Sequence, residues 1–275
     1  MKRLGIIGAG LIGASLVKFW SRRGIELVVV ETNVESHVNL ADIAPEAHIQ
    51  KSIDSELSGC DLIVVAVPLG ACNTVFTHLA SVLTGSELVI DVAGVKERVQ
   101  SMATDTIGDD RFIGCHPMAG HAGGGLEAAR PDLFMDARVA CCNPTRGNIK
   151  AQLLVSDFWE AQGALPIWMT AEHHDAQVAW TSHLPYTLSA LLMNHLEEIP
   201  NELIGPGFLR STRYADFSTE VMGEVITHNP ALLKSLEEFI ERLRNLKETL
   251  ETSPQEALST LEKAHQLRQS ILKED

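Results

Sequence analysis

Aromatic side chains are scarce, at 5% of 275 residues, which leaves few platforms on which unpaired bases stack. Positive charge is also short. Lys and Arg number 22 against 36 Asp and Glu, a net charge of −14, so neither nucleic acid nor an anionic membrane is an expected partner. Cysteine comes as an odd five (Cys60, Cys72, Cys115, Cys141 and Cys142) with no C-x-x-C spacing. That argues against a disulfide framework or a zinc knuckle and for free thiols in a reducing cytoplasm. No apolar run reaches the ~20 residues that span a bilayer. The basic start Met1-Lys2-Arg3 before the apolar stretch 4–17 has the outline of a secretory signal, but the glycines at 5, 8, 10 and 13 suit a signal helix poorly. What is present is a globular composition, 45% hydrophobic and 21% charged, with enough apolar residues for a large core. A small-molecule ligand is the expectation.

Short apolar runs at 2–7, 26–31, 61–67, 87–92 and 111–115 read as buried strands. Helix-length stretches such as 11–23, 73–83 and 96–106 lie between most of them. Alternation of this kind builds a parallel sheet covered on both faces. Further strands are expected at 137–142 and 166–169, on either side of a helix over 149–162. After Thr170, a plausible N-cap, the pattern is helical to about Glu197, with Pro185 forcing a kink or break. Leu232, Leu233, Leu236, Phe239, Ile240, Leu243 and Leu246 keep helical spacing in 230–250. Ser253-Pro254-Gln255-Glu256 then opens a last helix with a capping-box pattern. The expected organisation is an α/β Rossmann-type domain at 1–169 and an all-α domain at 170–275. The two wide-striped terminal helices must bury their apolar faces on the helical region or on a second copy of the chain.

The most informative motif is Gly8-Ala9-Gly10-Leu11-Ile12-Gly13, a G-x-G-x-x-G that follows a strand and opens a helix. Gly8 permits the tight turn, Gly10 lets backbone approach a pyrophosphate, and Gly13 lets helix and strand pack closely. Glu31 closes the second strand about twenty residues on, where an acid accepts from a ribose 2′-hydroxyl. Thr32 and Asn33 follow with no cation for a 2′-phosphate. NAD is therefore expected over NADP. Val67 and Pro68, ending the third strand, fall on the same sheet edge. His116 lies just past the strand at 111–115, where open α/β sheets place ligands, and a histidine there suits a base near neutral pH. Lys96, beyond the fourth strand, is expected to face that edge too. His173, His174, Asp175 and His183 match no metal-ligand spacing, so no metal is expected. His183 precedes Leu184-Pro185, at a helix break that can aim a side chain into a cleft. Arg210 and Arg213 are candidates to clamp a carboxylate, since guanidinium engages it through two parallel bonds. For each of these residues taken alone, a structural role is the competing reading.

Together GAGLIGASL, DVAGVK at 91–96, GCHPMAG at 114–120, Leu133-Phe134, AWTSHLP at 179–185 and the GF and STR of 207–213 resemble the prephenate/arogenate dehydrogenases of tyrosine biosynthesis over nearly the whole length. The resemblance implies a cytoplasmic, NAD-dependent enzyme that oxidatively decarboxylates prephenate or arogenate. It also implies a helical dimerisation domain, hence a homodimer, with His116 as base, Arg213 on a substrate carboxylate and His183 lining the pocket. Gly94, His121 and Tyr186 fall at pocket positions and depart from the family pattern. A serine is usual at 94, a Thr or Ser often follows HPMAG, and SHLPH is shortened here to SHLP-Tyr186. Arg210 stands where an aspartate is usual. Gly94 motivates the alternative of a catalytically weakened, NAD-responsive protein of the same fold. A β-hydroxyacid or imine reductase is set aside, because HPMAG and SHLP have no place there.

Overall fold

The structure is a computed structural model, described here for all residues except 120–123, 143–147, 198–201 and 275. Two compact units divide the chain, Met1–Asn229 and Pro230–Asp275.

The first unit is built on an eight-stranded sheet in the order β3-β2-β1-β4-β5-β6-β7-β8. Its strands are β1 (Arg3–Ile7), β2 (Glu26–Val30), β3 (His48–Gln50), β4 (Leu62–Val65), β5 (Leu88–Asp91), β6 (Phe112–Pro117), β7 (Arg138–Cys142) and β8 (Leu165–Met169). Five crossing helices flank it: α1 (Leu11–Trp20), α2 (Ser36–Ile43), α3 (Leu69–Val82), α4 (Glu97–Thr106) and α5 (Ile149–Glu160). Alternate residues of the central strands β1, β2, β4 and β5 enter different cores. Leu4, Ile6, Val29, Val64 and Ile90 join one cluster, and Ile7, Val28, Val30, Val65 and Val89 join the other. Strands buried on both faces read as continuous apolar runs, which is why these were legible. The short α2 and the three-residue edge strand β3, whose residues are half-buried or exposed, have no such run and escaped the sequence reading.

One expectation needs correction. β7 lies antiparallel on β6, with Cys115 opposite Cys141 and His116 opposite Ala140, although β7 and β8 are parallel to each other. A parallel neighbour needs a crossover, usually a helix. The described residues between β6 and β7 form turns only, so the chain returns beside β6 in the opposite direction.

Beyond the sheet, Thr170 caps α6 (Ala171–Val178), accepting from the His173 N–H at 3.1 Å. The expected break before Pro185 takes the form of a π turn over Ala179–His183, in which the Leu184 N–H donates to the Ala179 carbonyl. A ring without an N–H cannot continue the i→i−4 ladder, and the wider turn absorbs the change. α7 (Leu184–Asn194), α8 (Pro206–Ser211), a 3-10 turn at Arg213–Asp216 and α9 (Thr219–His228) complete the unit.

The second unit is a hairpin of α10 (Ala231–Thr252) and α11 (Pro254–Glu274), with Pro254 in the first turn of α11 as its sequence implied. In the single chain Leu233, Ile240, Leu243 and Leu250 on α10, and Leu258, Leu261, Leu267 and Ile271 on α11, are exposed. Among the described residues no helix is long and apolar enough to cross a membrane.

Candidate functional site

The carboxyl ends of β1, β4, β5 and β6 carry the residues of interest. Between β1 and β4 the connections run in opposite directions, the crevice where open sheets of this type bind nucleotides. Gly8 adopts φ +92°, and a Cβ there would lie 2.5 Å from the Ala66 carbonyl oxygen. A Cβ on Gly13 would lie 1.9 Å from the Gly8 carbonyl oxygen. Both glycines are thus required by close approach. At Gly10 an added Cβ meets nothing within 4 Å, so that backbone is open on its outer side. Gly10 is also the N-cap of α1, with no side-chain cap. The first amides of the helix are left for an anion. Leu11 and Ile12 are half-buried on that first turn. Glu31 follows β2 directly and spans the glycine turn: its carboxylate accepts from the Ala9 N–H and from the Asn33 N–H, each at 2.8 Å. Val67 packs against Gly8, and Pro68 starts α3. This cradle fits a dinucleotide whose pyrophosphate meets the α1 N-terminus and whose ribose meets a carboxylate.

His116 lies within β6, not past it, and is the centre of a hydrogen-bonded chain. Its Nδ1 is 2.9 Å from His174 Nε2, and His174 Nδ1 is 2.7 Å from Asp175 Oδ1. Asp175 is fully buried and also accepts from the N–H groups of Lys96 at 2.8 Å and Glu97 at 3.0 Å. Burial alone would raise its pKa. The bonds from His174 and the two amides outweigh that and hold it below the ordinary carboxylate value. An ionised Asp175 accepts from the His174 Nδ1–H, and a ring that carries that one proton presents Nε2 as an acceptor. His116 must then donate from Nδ1, and its lone pair is on Nε2. Burial foremost, with His174, Lys96 and His183 close by adding to it as proton-binding neighbours, holds the His116 pKa well below 6.5, so the ring is neutral near pH 7.

Lys96 departs from expectation. It is 1% exposed, its Nζ pairs with the buried Asp91, and it donates to the Cys115 carbonyl at 2.6 Å. Asp91 in turn accepts from the Cys115 N–H at 3.2 Å. The buried carboxylate draws the amine beneath β6, away from the ligand edge, where it braces the residue before His116.

Gly94 sits beside His116: a Cβ there would be 3.9 Å from His116 Cε1 and 3.1 Å from Cγ2 of Val225 on α9. Glu224, the neighbour of Val225, accepts from the Gly70 N–H on α3 at 3.3 Å, which fixes α9 over this edge. His183, in the π turn, is 1% exposed, and its Nδ1 is 2.9 Å from Asn229 Nδ2. Burial foremost lowers its pKa to about 4, with His174 adding to the effect and Asp175 opposing it. Tyr186 is buried on α7, which packs against the 3-10 turn that carries Arg213. Arg213 is exposed, with its guanidinium carbon 4.5 Å from the Tyr214 ring centre and an N–H donated to the Tyr214 hydroxyl at 3.1 Å. Arg210 is exposed on α8. His121 lies outside the described residues. Thus His116 and Gly94 adjoin, and His183 connects to them through Asn229 and Asp175, while Arg213 and Tyr186 are set on neighbouring elements.

His174, Asp175 and Asn229 were missed as site residues. The first two were weighed only as metal ligands, and among the described residues no group of three such side chains could hold a metal ion. A signal existed: His174 and Asp175 follow a helix N-cap by four and five residues, where the first turn passes into the second.

Residues 18–167 match the nucleotide-binding domain of prephenate dehydrogenase, and residues 170–264 match its dimerization domain. The chain belongs to the prephenate dehydrogenase family. It is 27% identical to the cyclohexadienyl dehydrogenase of Zymomonas mobilis, across 100% of this chain and 97% of the relative. Among solved structures it resembles Synechocystis arogenate dehydrogenase with a TM-score of 0.88 and 26% identity, covering 98% of this chain and 99% of that one. At 24% identity and the same TM-score, it shares the fold of Aquifex aeolicus prephenate dehydrogenase, solved in complex with hydroxyphenyl propionate and NAD+; coverage is 98% of each chain. The expected fold class, nucleotide-binding sheet domain and helical dimerisation region agree with these matches.

Proposed function

We propose that this enzyme oxidatively decarboxylates prephenate to 4-hydroxyphenylpyruvate, or arogenate to tyrosine, with NAD as hydride acceptor, in the cytoplasm and as a homodimer. The observation that carries the reading is the His116–His174–Asp175 chain, which leaves a neutral imidazole with its Nε2 lone pair at the carboxyl edge of a nucleotide-binding sheet. The substrate is a cyclohexadienol with a carboxylate on the ring carbon opposite its hydroxyl. NAD, when bound, supplies an acceptor for the hydride on the hydroxyl-bearing carbon. His116 Nε2 takes the hydroxyl proton, and His174 backed by Asp175 stabilises the imidazolium, the role a buried carboxylate plays behind histidine in other proton-transfer sites. The bond from ring to carboxylate breaks, carbon dioxide leaves, and its electron pair completes the aromatic ring as a phenolate. His116 returns the proton to that oxygen. Aromatisation supplies the driving force, so alignment and one base suffice.

Arg213 is assigned to a substrate carboxylate, and Gly94, His121, Tyr186 and His183 to the pocket wall. Gly8, Gly10, Leu11, Ile12, Gly13, Glu31, Val67 and Pro68 are assigned to the cofactor. The domain boundary is placed at 169/170, although compactness divides the chain after Asn229. Two observations speak against the weakened-enzyme alternative. Val225 occupies the space beside Gly94, and His116 takes its orientation from His174, so the base needs no hydroxyl at 94.

The test is steady-state kinetics on prephenate and arogenate, each with NAD and NADP. Turnover of at least one substrate with NAD preferred is expected. No turnover of either would overturn the reading. Sedimentation equilibrium should give twice the 30.0 kDa chain mass.

A further inference from the structure

We infer that Asn229 is a positioning residue that locks His183 as the neutral ring protonated on Nε2, so that the site holds two histidines of opposite polarity: His116 accepts a proton and His183 donates a hydrogen bond. The inference rests on the reading of His183 as a pocket residue.

The argument begins with a carbonyl. The Asn229 amide nitrogen lies 2.9 Å from the main-chain oxygen of Asp175. That oxygen only accepts, so the amide must turn its NH2 toward it; the flipped amide would set two oxygens against each other. The same nitrogen lies 2.9 Å from His183 Nδ1. With one N–H given to Asp175 and the other pointing at His183, Nδ1 has to be the ring's acceptor. A neutral imidazole with Nδ1 unprotonated carries its proton on Nε2. The three residues are each 2% exposed or less, so water does not compete for these bonds.

Charge around His183 agrees with the geometry. Asp175 and His174 are the titratable groups that act on it, in opposing directions, and burial outweighs both. The ring is therefore a donor without being a cation near pH 7. Its Nε2–H suits an oxygen of the substrate, carboxylate, keto or hydroxyl, and refuses an ammonium group. The polarity of both histidines traces to Asp175. Its carboxylate orders His174 and so His116, while its carbonyl orders Asn229 and so His183. The π turn that precedes Pro185 is what brings position 183 to Asn229 instead of continuing the α-helical register.

The test uses the full-length protein with 15N-labelled histidine, free of substrate, at pH 7. Long-range 1H–15N correlations of the imidazoles, with His183 assigned by its loss in His183→Gln, should show Nε2 in the protonated range and Nδ1 in the unprotonated range. The reverse pattern, or a doubly protonated ring, would overturn the inference. Asn229→Asp places an acceptor against Nδ1 and should move the His183 proton to Nδ1 or charge the ring. It should also raise KM for the carboxylate substrate roughly 10- to 100-fold, the scale of one hydrogen bond to a charged group. The acid limb that reports His116 should stay in place. An Asn229→Asp enzyme with unchanged imidazole signals would also refute the lock. If that variant does not fold, the spectrum of the unaltered protein still decides. If the unaltered enzyme turns over neither substrate yet shows the predicted tautomer, the proposed function fails and the lock stands.

Discussion

Two neutral histidines, His183 buried and His116 half-buried, should make this protein labile to mild acid. His183 titrates near 4 in the folded chain against an ordinary 6.5, and His116 is depressed in the same sense. Between those values the unfolded chain binds a proton that the folded chain refuses, so stability rises with pH there and is lost as pH falls. At about 1.36 kcal/mol per pH unit, the gap between 6.5 and about 4 at His183 amounts to about 3 kcal/mol. Most of it, about 2 kcal/mol, should already be gone on moving from pH 7 to pH 5. Against a total stability of about 5–15 kcal/mol, one side chain carries a large share. Urea midpoints followed by tryptophan fluorescence at pH 7, 6 and 5, at fixed protein concentration because a dimer's midpoint depends on it, should fall steadily for the native protein. His183→Gln removes one titrating group and should flatten that slope by about 2 kcal/mol across the range. Parallel slopes for the two proteins would refute the reasoning, because acid lability between pH 7 and 5 would then come from other groups, His116 first among them.

Removing the base by His116→Asn should lower kcat by roughly 10²–10⁴-fold, the usual span for a general base, with NAD affinity nearly unchanged by fluorescence titration. For the native enzyme, kcat/KM should stay level through neutral pH and fall only well below pH 6.5, because protonation of His116 abolishes the acceptor. Arg213→Ala should raise KM strongly and Arg213→Lys should recover little, since a point charge does not reproduce the planar fork; an unchanged KM with Arg210→Ala impaired would reassign the role. Glu31→Ser with Thr32→Arg should shift preference toward NADP through the cofactor KM. It should also lower affinity for both cofactors, because the Ala9 N–H loses its acceptor; equal kcat/KM for NAD and NADP in the native enzyme would show that Glu31 does not meet the ribose.

The parts of this protein legible in one dimension are those set by local geometry and short-range pattern. A glycine turn between a buried strand and a helix can be read because Gly8 and Gly13 answer to contacts their own neighbours create. The strands show because burial on both faces leaves an uninterrupted apolar run. Pro185 announces a break because its missing N–H acts on its own turn. His116 could be placed at the ligand edge because it ends such a strand. What tertiary structure alone decided is how distant groups face one another. The direction of β7 follows from a return without a crossover. Lys96 looked like an edge residue until Asp91 drew its amine beneath β6. His174 and Asp175 acquire meaning only because α6 sets them beside His116, 58 positions away in the chain. Asn229 does so because it reaches both Asp175 and His183. Hydrogen-bond polarity between residues so far apart is not written in spacing or composition; it exists once folding has excluded water and set these buried donors against the acceptors the fold provides.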